Sequence, residues 1–275
     1  AILSKLKAEP FKYDILICDA SPDKRDVLPD GTGRNSKKEC ILPDVMLTSL
    51  KRINPAIEED KIKEIVKTLR QDYTGTDIVD TNYKLYRQIR NNIKITVRRN
   101  GKEDFDFVKL IDFEHPENNT FTAVSQMWIQ GKVYYRRPDI LIFINGMPLV
   151  FIELKNSIVK IEEAYNKNLK DYMRDIPNLF AFNQICVLSN GLETKLGAFN
   201  ASYDYFFEWL KIDSEKEKLD REAILAADNV KDSSVRFFVD GLLNKDRLID
   251  YIENFILFEN QRIKIIAKNH QYLGV

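Results

Sequence analysis

The chain has few of the residues that build disulfide frameworks or zinc sites. It contains three cysteines, Cys18, Cys40 and Cys186, and two histidines among its 275 residues. The cysteines are odd in number and show no Cys-x-x-Cys spacing, so neither a disulfide framework nor a zinc site is predicted, and reduced core thiols are the simplest interpretation. His115 and His270 lie outside the charged motif described below, and neither is expected to act as a catalytic base.

Long apolar runs are also lacking. No stretch approaches the roughly eighteen consecutive apolar residues of a membrane span, and no signal peptide opens the chain. We therefore expect a cytoplasmic protein without membrane contact. A Gly-rich phosphate loop with Lys and Ser or Thr is absent too, which excludes an ATPase within these residues.

Neither sign of charge is in excess, because 42 Lys and Arg residues balance 42 Asp and Glu residues. Coating of DNA by bulk electrostatics needs clustered cations, so this balance argues against it. A local cationic patch is still compatible with DNA binding, and the candidates are Arg98, Arg99, Arg136, Arg137, Lys155, Lys167 and Lys170.

Residues 136–155 carry three charged groups in an otherwise apolar segment. The segment reads Arg-Arg-Pro-Asp-Ile-Leu-Ile-Phe-Ile-Asn-Gly-Met-Pro-Leu-Val-Phe-Ile-Glu-Leu-Lys, which predicts two strands joined by an Asn-Gly turn. Asp139 stands on the first strand, and Glu153 and Lys155 stand on the second. Charge on a half-buried strand is costly unless it is paired or binds a metal, so these residues require an explanation.

A metal-dependent phosphodiesterase site accounts for all three residues. Asp139 and Glu153 are candidate ligands of a hard cation that polarises a phosphate and activates water. Lys155 shares a strand face with Glu153 and is a candidate to orient that water or to offset charge in the transition state. Mg²⁺ is the expected ion, because the motif offers oxygen ligands and no His or Cys.

The length of the turn decides whether this site can exist. With a strict two-residue turn at Asn145 and Gly146, Asp139 would face Ile152 and point away from Glu153. A bulge or an odd-length connection would bring both carboxylates to one face, so we predict one. The alternative is an ordinary core hairpin, in which Asp139 caps the strand after Pro138 and Glu153 pairs with Lys155 or an arginine.

The hairpin resembles the PD-(D/E)xK nucleases, and in detail the chain resembles the amino-terminal nuclease region of the restriction (R) subunit of type I restriction-modification enzymes. The matching words cover roughly residues 40–275. They are Leu42-Pro43 to Asn54-Pro55, Asn82, Ile111 to Phe121, Arg136 to Lys155, Ile176 to Phe180 and Val187 to Gly191. By this resemblance, Asp139, Glu153 and Lys155 take the family's catalytic positions.

The resemblance also implies supporting residues on the next helix. Family members carry a Gln-x-x-x-Tyr element there, and the best match is Asn168-x-x-x-Tyr172. Residues four apart share a helix face, so both side chains can point toward the site or the DNA, although Asn is one methylene shorter than Gln. The alternative is a tyrosine that packs on the sheet and a solvated asparagine. Arg136 and Arg137 are further candidates for DNA contact, but because they alternate faces only one is expected to look into the cleft.

The fold expected from these patterns is α/β, with a mixed central β-sheet flanked by helices and a restriction-endonuclease-like core. Residues 1–210 are expected to form the nuclease domain, with a helical insertion near 41–92. In that insertion Asp44 is expected to cap one helix, Pro55 to start another, and a third helix to run through Asn82–Arg90. Residues 211–275 are expected to form a charged linker and a helix at 213–233, and then helices from 241–246 to 267 that lead toward a helicase-like motor domain. Strands at 93–98, 104–113, 121–129 and 132–136 are expected to continue into the sheet of the hairpin.

The function implied by the resemblance is cleavage of double-stranded DNA with Mg²⁺, without sequence specificity of its own. Methylation and specificity subunits would be partners, and ATP would act only through the missing motor domain. Two alternatives remain. One is a non-catalytic module with a nuclease fold that serves DNA guidance or subunit docking, and the other is an adaptor that binds protein partners through its carboxy-terminal helices.

Overall fold

The computed structural model describes residues 2–214, 216 and 233–274. The strands in chain order are β1 (Asp14–Ile17), β2 (Ile93–Arg99), β3 (Lys102–Val108), β4 (Phe121–Ser125), β5 (Ile129–Gln130), β6 (Tyr135–Arg136), β7 (Ile140–Ile144), β8 (Met147–Leu154), β9 (Ile185–Ser189), β10 (Thr194–Gly197), β11 (Phe207–Glu208), β12 (Ile256–Glu259) and β13 (Ile263–Ile266). The α-helices are α1 (Ile2–Lys7), α2 (Pro43–Ile53), α3 (Glu59–Leu69), α4 (Ile78–Asn91), α5 (Ile161–Glu163), α6 (Lys170–Asp175), α7 (Ser233–Leu242), α8 (Lys245–Asn254) and α9 (Asn269–Leu273). A π-helical stretch, Ala164–Leu169, joins α5 to α6.

Seven strands form the central sheet, in the order β1-β4-β7-β8-β9-β10-β11. The pairs β1–β4 and β8–β9 are parallel, and the other neighbours are antiparallel. The expected mixed α/β sheet flanked by helices is therefore confirmed, including the parallel crossover from β8 through α5 and α6 to β9. This architecture is compatible with a restriction-endonuclease-like fold.

Alternation along the central strands builds a hydrophobic layer on each side of the sheet. Ile140 and Ile142 of β7 face the larger layer, which also contains residues of α2, α3, α4, α7 and α8. Leu141 of β7 and Phe151 of β8 face the second layer, which contains residues of α5 and α6. Burial on both sides explains why β7 and β8 read as nearly continuous apolar runs.

The expected helices between β1 and β4 are present as α2, α3 and α4, but two of the predicted starts were wrong. Asp44 does not cap α2, because Leu42 occupies the N-cap position and makes no side-chain cap bond. Pro55 does not lie in the first turn of the next helix, which begins at Glu59. The start of α4 is earlier than expected, because the Asp77 side chain accepts hydrogen bonds from the backbone N–H groups of Val79 and Asp80.

The expected contribution of the segment 93–113 to the central sheet was wrong. β2 and β3 pair only with each other and form a separate two-stranded ribbon, and β5 and β6 form another small sheet. β3 has the sequence Lys-Glu-Asp-Phe-Asp-Phe-Val and is mostly exposed, so it lacks the apolar surface that a central strand would bury.

The end of the chain also differs from the expectation of helices up to residue 267. After α8, strands β12 and β13 form an antiparallel hairpin. Most of the expected linker at 213–233 lies outside the described residues. Described residues between 235 and 266 pack into the same hydrophobic layer as the sheet, and the division near residue 210 stays a prediction. Within the described part of the chain, no helix is long and apolar enough to cross a membrane.

Candidate active site

The hairpin of β7 and β8 contains both a two-residue turn and a bulge. Asn145 and Gly146 adopt positive φ angles of 49° and 80°, and Ile144 pairs with Met147 across them. The register then shifts, because Phe143 pairs with Pro148 but Ile142 pairs with Val150. Leu149 is thus the extra residue of a β-bulge in β8.

The bulge brings the two carboxylate positions to one face of the sheet. Beyond the shift, Ile140 pairs with Ile152, so the next positions along the hairpin are Asp139 and Glu153. Asp139 and Glu153 lie two residues from Leu141 and Phe151, so they share a face of the sheet with them. This face packs against the layer that contains α5 and α6. The prediction of a bulged connection is confirmed, and an unbroken two-residue register is excluded.

Buried polar contacts hold the turn in place. Asn145 is fully buried, and its Nδ2 donates to the carbonyl of Leu110 at 2.9 Å and to Oδ1 of Asn119 at 2.7 Å. Its Oδ1 accepts a hydrogen bond from the backbone N–H of Thr120 at 2.8 Å. On the other side, the backbone N–H of Leu42 donates to the carbonyl of Gly146 at 2.9 Å. The segments before α2 and before β4 therefore fix the hairpin of β7 and β8.

Asp139 is held by donors from two neighbouring strands. The backbone N–H of Leu154 donates to Oδ2 at 2.8 Å, and Nε2 of Gln126 donates to Oδ1 at 3.0 Å. The carbonyl of Asp139 accepts from the backbone N–H of Gln126 at 3.1 Å and from Oγ of Ser125 at 3.2 Å. Sequence reasoning missed Gln126, because a single polar residue after a strand carries no distinguishing pattern.

Glu153 is a buried carboxylate with one unsatisfied oxygen. Its side chain lies beside Lys155, whose Nζ donates to Oε1 at 2.7 Å. Oε2 is buried and has no hydrogen-bond partner among the described residues. Burial, together with the negative charge of Asp139, raises the pKa of Glu153 to about 7, and Lys155 and Tyr172 oppose this rise.

Tyr172 lies near Glu153, and the Asn168 side chain reaches the Tyr172 hydroxyl. The ring of Tyr172 packs edge-on against Phe151, with the centroids 5.5 Å apart, and its hydroxyl donates to the carbonyl of Arg137 at 3.2 Å. Burial and the charges of Glu153 and Asp139 raise the pKa of Tyr172 above its ordinary range, while the Asn168 side chain acts on the same hydroxyl and lowers it. The structure therefore brings Asn168 and Tyr172 together and places Tyr172 near Glu153, and their role at a site stays a prediction.

The two arginines before the hairpin make other contacts. Arg136 forms ion pairs with Asp171 and Asp175 of α6, and its guanidinium carbon lies 5.9 Å from the centroid of the Tyr172 ring. Arg137 donates to the carbonyl of Ala20 and lies 5.1 Å from the Trp128 ring. Neither lines the cleft described below, so a direct DNA contact from either residue stays a prediction.

A cleft of about 650 Å³ opens at the edge of the sheet where β1, β4, β8 and β9 end. Asp139, Lys155 and Gln126 line it, whereas Glu153 is buried and bonded through Oε1 to Lys155. The other polar lining residues lie in α1 and at or just after the ends of β4, β8 and β9, and they are Ser4, Ser125, Asn156, Ser157, Ser189 and Asn190. Asp139 and Lys155 are therefore reached from an open cleft.

Comparison with known proteins assigns the family. The family model described as the type I restriction enzyme R protein N terminus matches residues 8–205. The chain belongs to this family. The match covers strands β1 to β10, the bulged hairpin and the helix that carries Tyr172, so the resemblance to the amino-terminal region of the R subunit is confirmed.

Relatives of this R protein amino-terminal region agree with the assignment. The chain is 34% identical over 243 residues to the type I restriction enzyme HindI endonuclease subunit of Haemophilus influenzae, a match covering 86% of this chain and 22% of the relative. It is 32% identical over 270 residues to the putative type I restriction enzyme MjaIXP endonuclease subunit of Methanocaldococcus jannaschii, covering 91% and 25% respectively. The chain therefore spans about a quarter or less of the length of these two relatives.

The donor set of this R protein region fits a hard dication. The described residues contain no group of three or more His, Cys, Asp and Glu side chains placed to hold a metal. They do contain two carboxylates on one face, one of them buried with an oxygen that lacks a partner. Because the charge of Asp139 raises the pKa of Glu153, a cation bound to both would relieve their repulsion. Mg²⁺ suits such a site, because it commonly takes one or two carboxylates and keeps several waters.

Proposed function

We propose that this chain is the Mg²⁺-dependent endonuclease domain of a type I restriction enzyme R subunit and that it hydrolyses phosphodiester bonds of double-stranded DNA. The observation that carries the proposal is the bulge at Leu149, which puts Asp139 and Glu153 on one face of the sheet. Membership of the R protein family supports the same assignment. Packing of an ordinary core hairpin does not require a register shift that places two carboxylates on one face beside a cleft.

Asp139 and Glu153 would hold the metal through their carboxylate oxygens. When bound, Mg²⁺ supplies Lewis-acid polarisation of the scissile phosphate and lowers the pKa of a bound water. Oε2 of Glu153 is free to accept a new partner, and Oε1 is shared with Lys155. The donors to Asp139 from Gln126 and Leu154 keep its carboxylate fixed at the cleft wall.

Lys155 acts on the reacting phosphate from the lining of the cleft. Its ammonium group is anchored at 2.7 Å from Oε1 of Glu153, yet its side chain remains 23% exposed, so it can reach a substrate. There it orients the attacking water and offsets the negative charge that develops on the phosphate. The Tyr172 hydroxyl opposes the rise in the pKa of Glu153, and the Asn168 side chain acts on that hydroxyl.

The substrate and partners of the complete enzyme belong to the same proposal. The relatives are named endonuclease subunits of type I restriction enzymes, and the chain covers only part of their length. We propose that methylation and specificity subunits select the target and that ATP acts through a motor elsewhere in the full subunit. This domain then cuts without a sequence preference of its own.

The test uses the full-length R subunit assembled with its partner subunits. Asp139→Ala, Glu153→Ala and Lys155→Ala are introduced separately, and cleavage of supercoiled DNA is measured with Mg²⁺ and ATP. Each substitution is expected to abolish cleavage while complex assembly and ATP hydrolysis persist. Glu117→Gln is the matched control, because Glu117 is an exposed carboxylate away from the hairpin, and it should leave cleavage unchanged.

Preserved cleavage in the three variants would reject the nuclease site and favour a non-catalytic module that guides DNA or docks subunits. Loss of complex assembly on deletion of the carboxy-terminal helices, with no effect of the hairpin substitutions, would instead favour an adaptor. Retained assembly and ATP hydrolysis with loss of cleavage would separate catalysis from both alternatives.

A further inference from the structure

Gln126 directly follows strand β4 and has an unusual backbone conformation. Its φ angle is +59°, in the left-handed region that side-chain-bearing residues other than Asn and Asp seldom occupy. Such a conformation is unfavourable for an ordinary L-residue. Gln126 gains no compensation from a tight hairpin, because the chain continues from β4 into a loop before β5 rather than folding back at once.

The left-handed conformation directs two donors of Gln126 toward one residue. Its backbone N–H donates to the carbonyl of Asp139 at 3.1 Å. Its side-chain Nε2 donates to Oδ1 of the same aspartate at 3.0 Å. The partner is a carboxylate, which can only accept, so the amide must present its nitrogen to Asp139.

Gln126 completes the set of donors around Asp139. The backbone N–H of Leu154 binds the other carboxylate oxygen, so the two oxygens are held from opposite sides. Hydrogen bonds donated to a carboxylate that would hold a metal fix the direction of its remaining lone pairs. Backbone strain that persists beside a reactive group is typical of positions where geometry serves function.

We propose that Gln126 is a positioning residue that aligns the Asp139 carboxylate for metal binding. The proposal rests on the nuclease function assigned above to Asp139. Gln126 lines the cleft but acts through Asp139. Groups that orient a metal ligand in this way typically change metal affinity or activity by about 10- to 100-fold when removed.

The test is Gln126→Gly in the full-length R subunit. Glycine accepts a positive φ without strain, so the substitution removes the side-chain donor and retains the backbone bond. Mg²⁺ affinity is measured by calorimetry without DNA, and the Mg²⁺ concentration for half-maximal cleavage is measured in the assembled enzyme. We expect both to weaken by about tenfold or more, with the melting temperature in EDTA nearly unchanged.

Asn100→Gly is the matched control. Asn100 also has a positive φ, of 54°, but it lies at the turn between β2 and β3, outside the cleft. This substitution relieves the same kind of backbone strain and should leave Mg²⁺ affinity and cleavage at wild-type values. A change in Mg²⁺ affinity confined to Gln126→Gly would therefore come from the lost donor.

Mg²⁺ affinity within about twofold of wild type in Gln126→Gly would overturn the proposal, since second-sphere donors have larger effects. If the glycine variant does not fold, Gln126→Asn replaces it in the test. Asparagine tolerates a positive φ, but its side chain is one methylene shorter, so its amide should not reach Asp139. Wild-type affinity in that variant would equally overturn the proposal. Asp139→Ala is measured in parallel: normal cleavage in that variant would reject the nuclease site itself, whereas its inactivity beside a normal Gln126→Gly would reject only the positioning role.

Discussion

The ammonium nitrogen of Lys155 lies 2.7 Å from Oε1 of Glu153, while Oε2 of the same carboxylate is buried without a partner among the described residues. The ion pair provides a partner for one oxygen of a carboxylate whose charged form is disfavoured by burial. Without a bound cation, the ionised Glu153 should therefore lower the free energy of unfolding.

Replacing Glu153 by glutamine should stabilise the metal-free domain at neutral to alkaline pH. Burial raises the folded-state pKa of Glu153 to about 7 from its ordinary value of 4.5. Its stabilising contribution is therefore complete below the unfolded value and falls as pH rises through about 7. At about pH 8, Glu153→Gln should raise the free energy of unfolding by roughly 1–3 kcal/mol, measured by urea denaturation in EDTA.

The same variant should lose its response to Mg²⁺. Wild-type protein is expected to melt at a higher temperature when Mg²⁺ is added, because a ligand that binds only the folded state stabilises it. Glu153→Gln should show no such shift, and the exposed control Glu117→Gln should behave as wild type. A Glu153→Gln protein that is less stable than wild type in EDTA at alkaline pH would contradict the proposed destabilisation by the ionised Glu153 carboxylate.

Lys155→Ala should separate metal binding from cleavage. Removing the ammonium group frees Oε1 of Glu153, so calorimetric Mg²⁺ affinity should stay at its wild-type value or increase. Cleavage should nevertheless fall by about 10²–10³-fold, the usual loss when a charged stabiliser of the transition state is removed. Lys160→Ala removes a nearby exposed lysine and should leave both unchanged. Equal losses of Mg²⁺ affinity and cleavage in Lys155→Ala would show that Lys155 mainly maintains the site's structure.

The sequence could predict the candidate site because successive side chains along a strand alternate strictly between the two faces of the sheet. An Asn-Gly turn at 145–146 fixes which faces Asp139 and Glu153 occupy, so only a bulge was compatible with a shared metal. The position of the bulge at Leu149 could not be predicted, because it depends on how β8 packs between β7 and β9. The role of Gln126 was equally hidden, since it arises from a contact between β4 and β7.

The carboxy-terminal hairpin shows why other parts of the fold could not be predicted. In β13, buried and exposed residues alternate strictly, but one of the buried positions is Lys264. A lysine at an inward position masks the alternation of a strand, and the remaining Leu, Ile and Phe residues then resemble a helix. Burial lowers the pKa of Lys264 well below its usual value, and its Nζ donates to oxygens of Asn82, Asn183 and Gln184.

Gly146→Ala should destabilise the domain through the turn of the catalytic hairpin. Gly146 has a φ of 80°, and a Cβ there would lie 2.5 Å from the carbonyl oxygen of Leu42. Left-handed strain and overpacking together should lower the free energy of unfolding by roughly 2–4 kcal/mol. Gly75→Ala is the control, because its Cβ would meet nothing within 4 Å and its φ is not positive. Chemical denaturation measures the free energy of unfolding of both variants. Equal values would show that the turn accommodates the added methyl group without destabilising the domain.

Asn82→Ala should release the carboxy-terminal hairpin from the core. Nδ2 of this fully buried residue of α4 donates to the carbonyls of Phe180 and Asn183 at 2.8 and 2.7 Å, and its Oδ1 accepts from Lys264 at 3.1 Å. The alanine variant removes these bonds, although Lys264 keeps its bonds to Asn183 and Gln184, and the loss should cost roughly 2–4 kcal/mol. Gln88→Ala, an exposed change on the same helix, should cost far less. Because the bond from Lys264 joins β13 to α4, amide exchange should accelerate first in β12 and β13. If amide protection in these strands equals that of Gln88→Ala, Lys264 does not need Asn82 to remain buried.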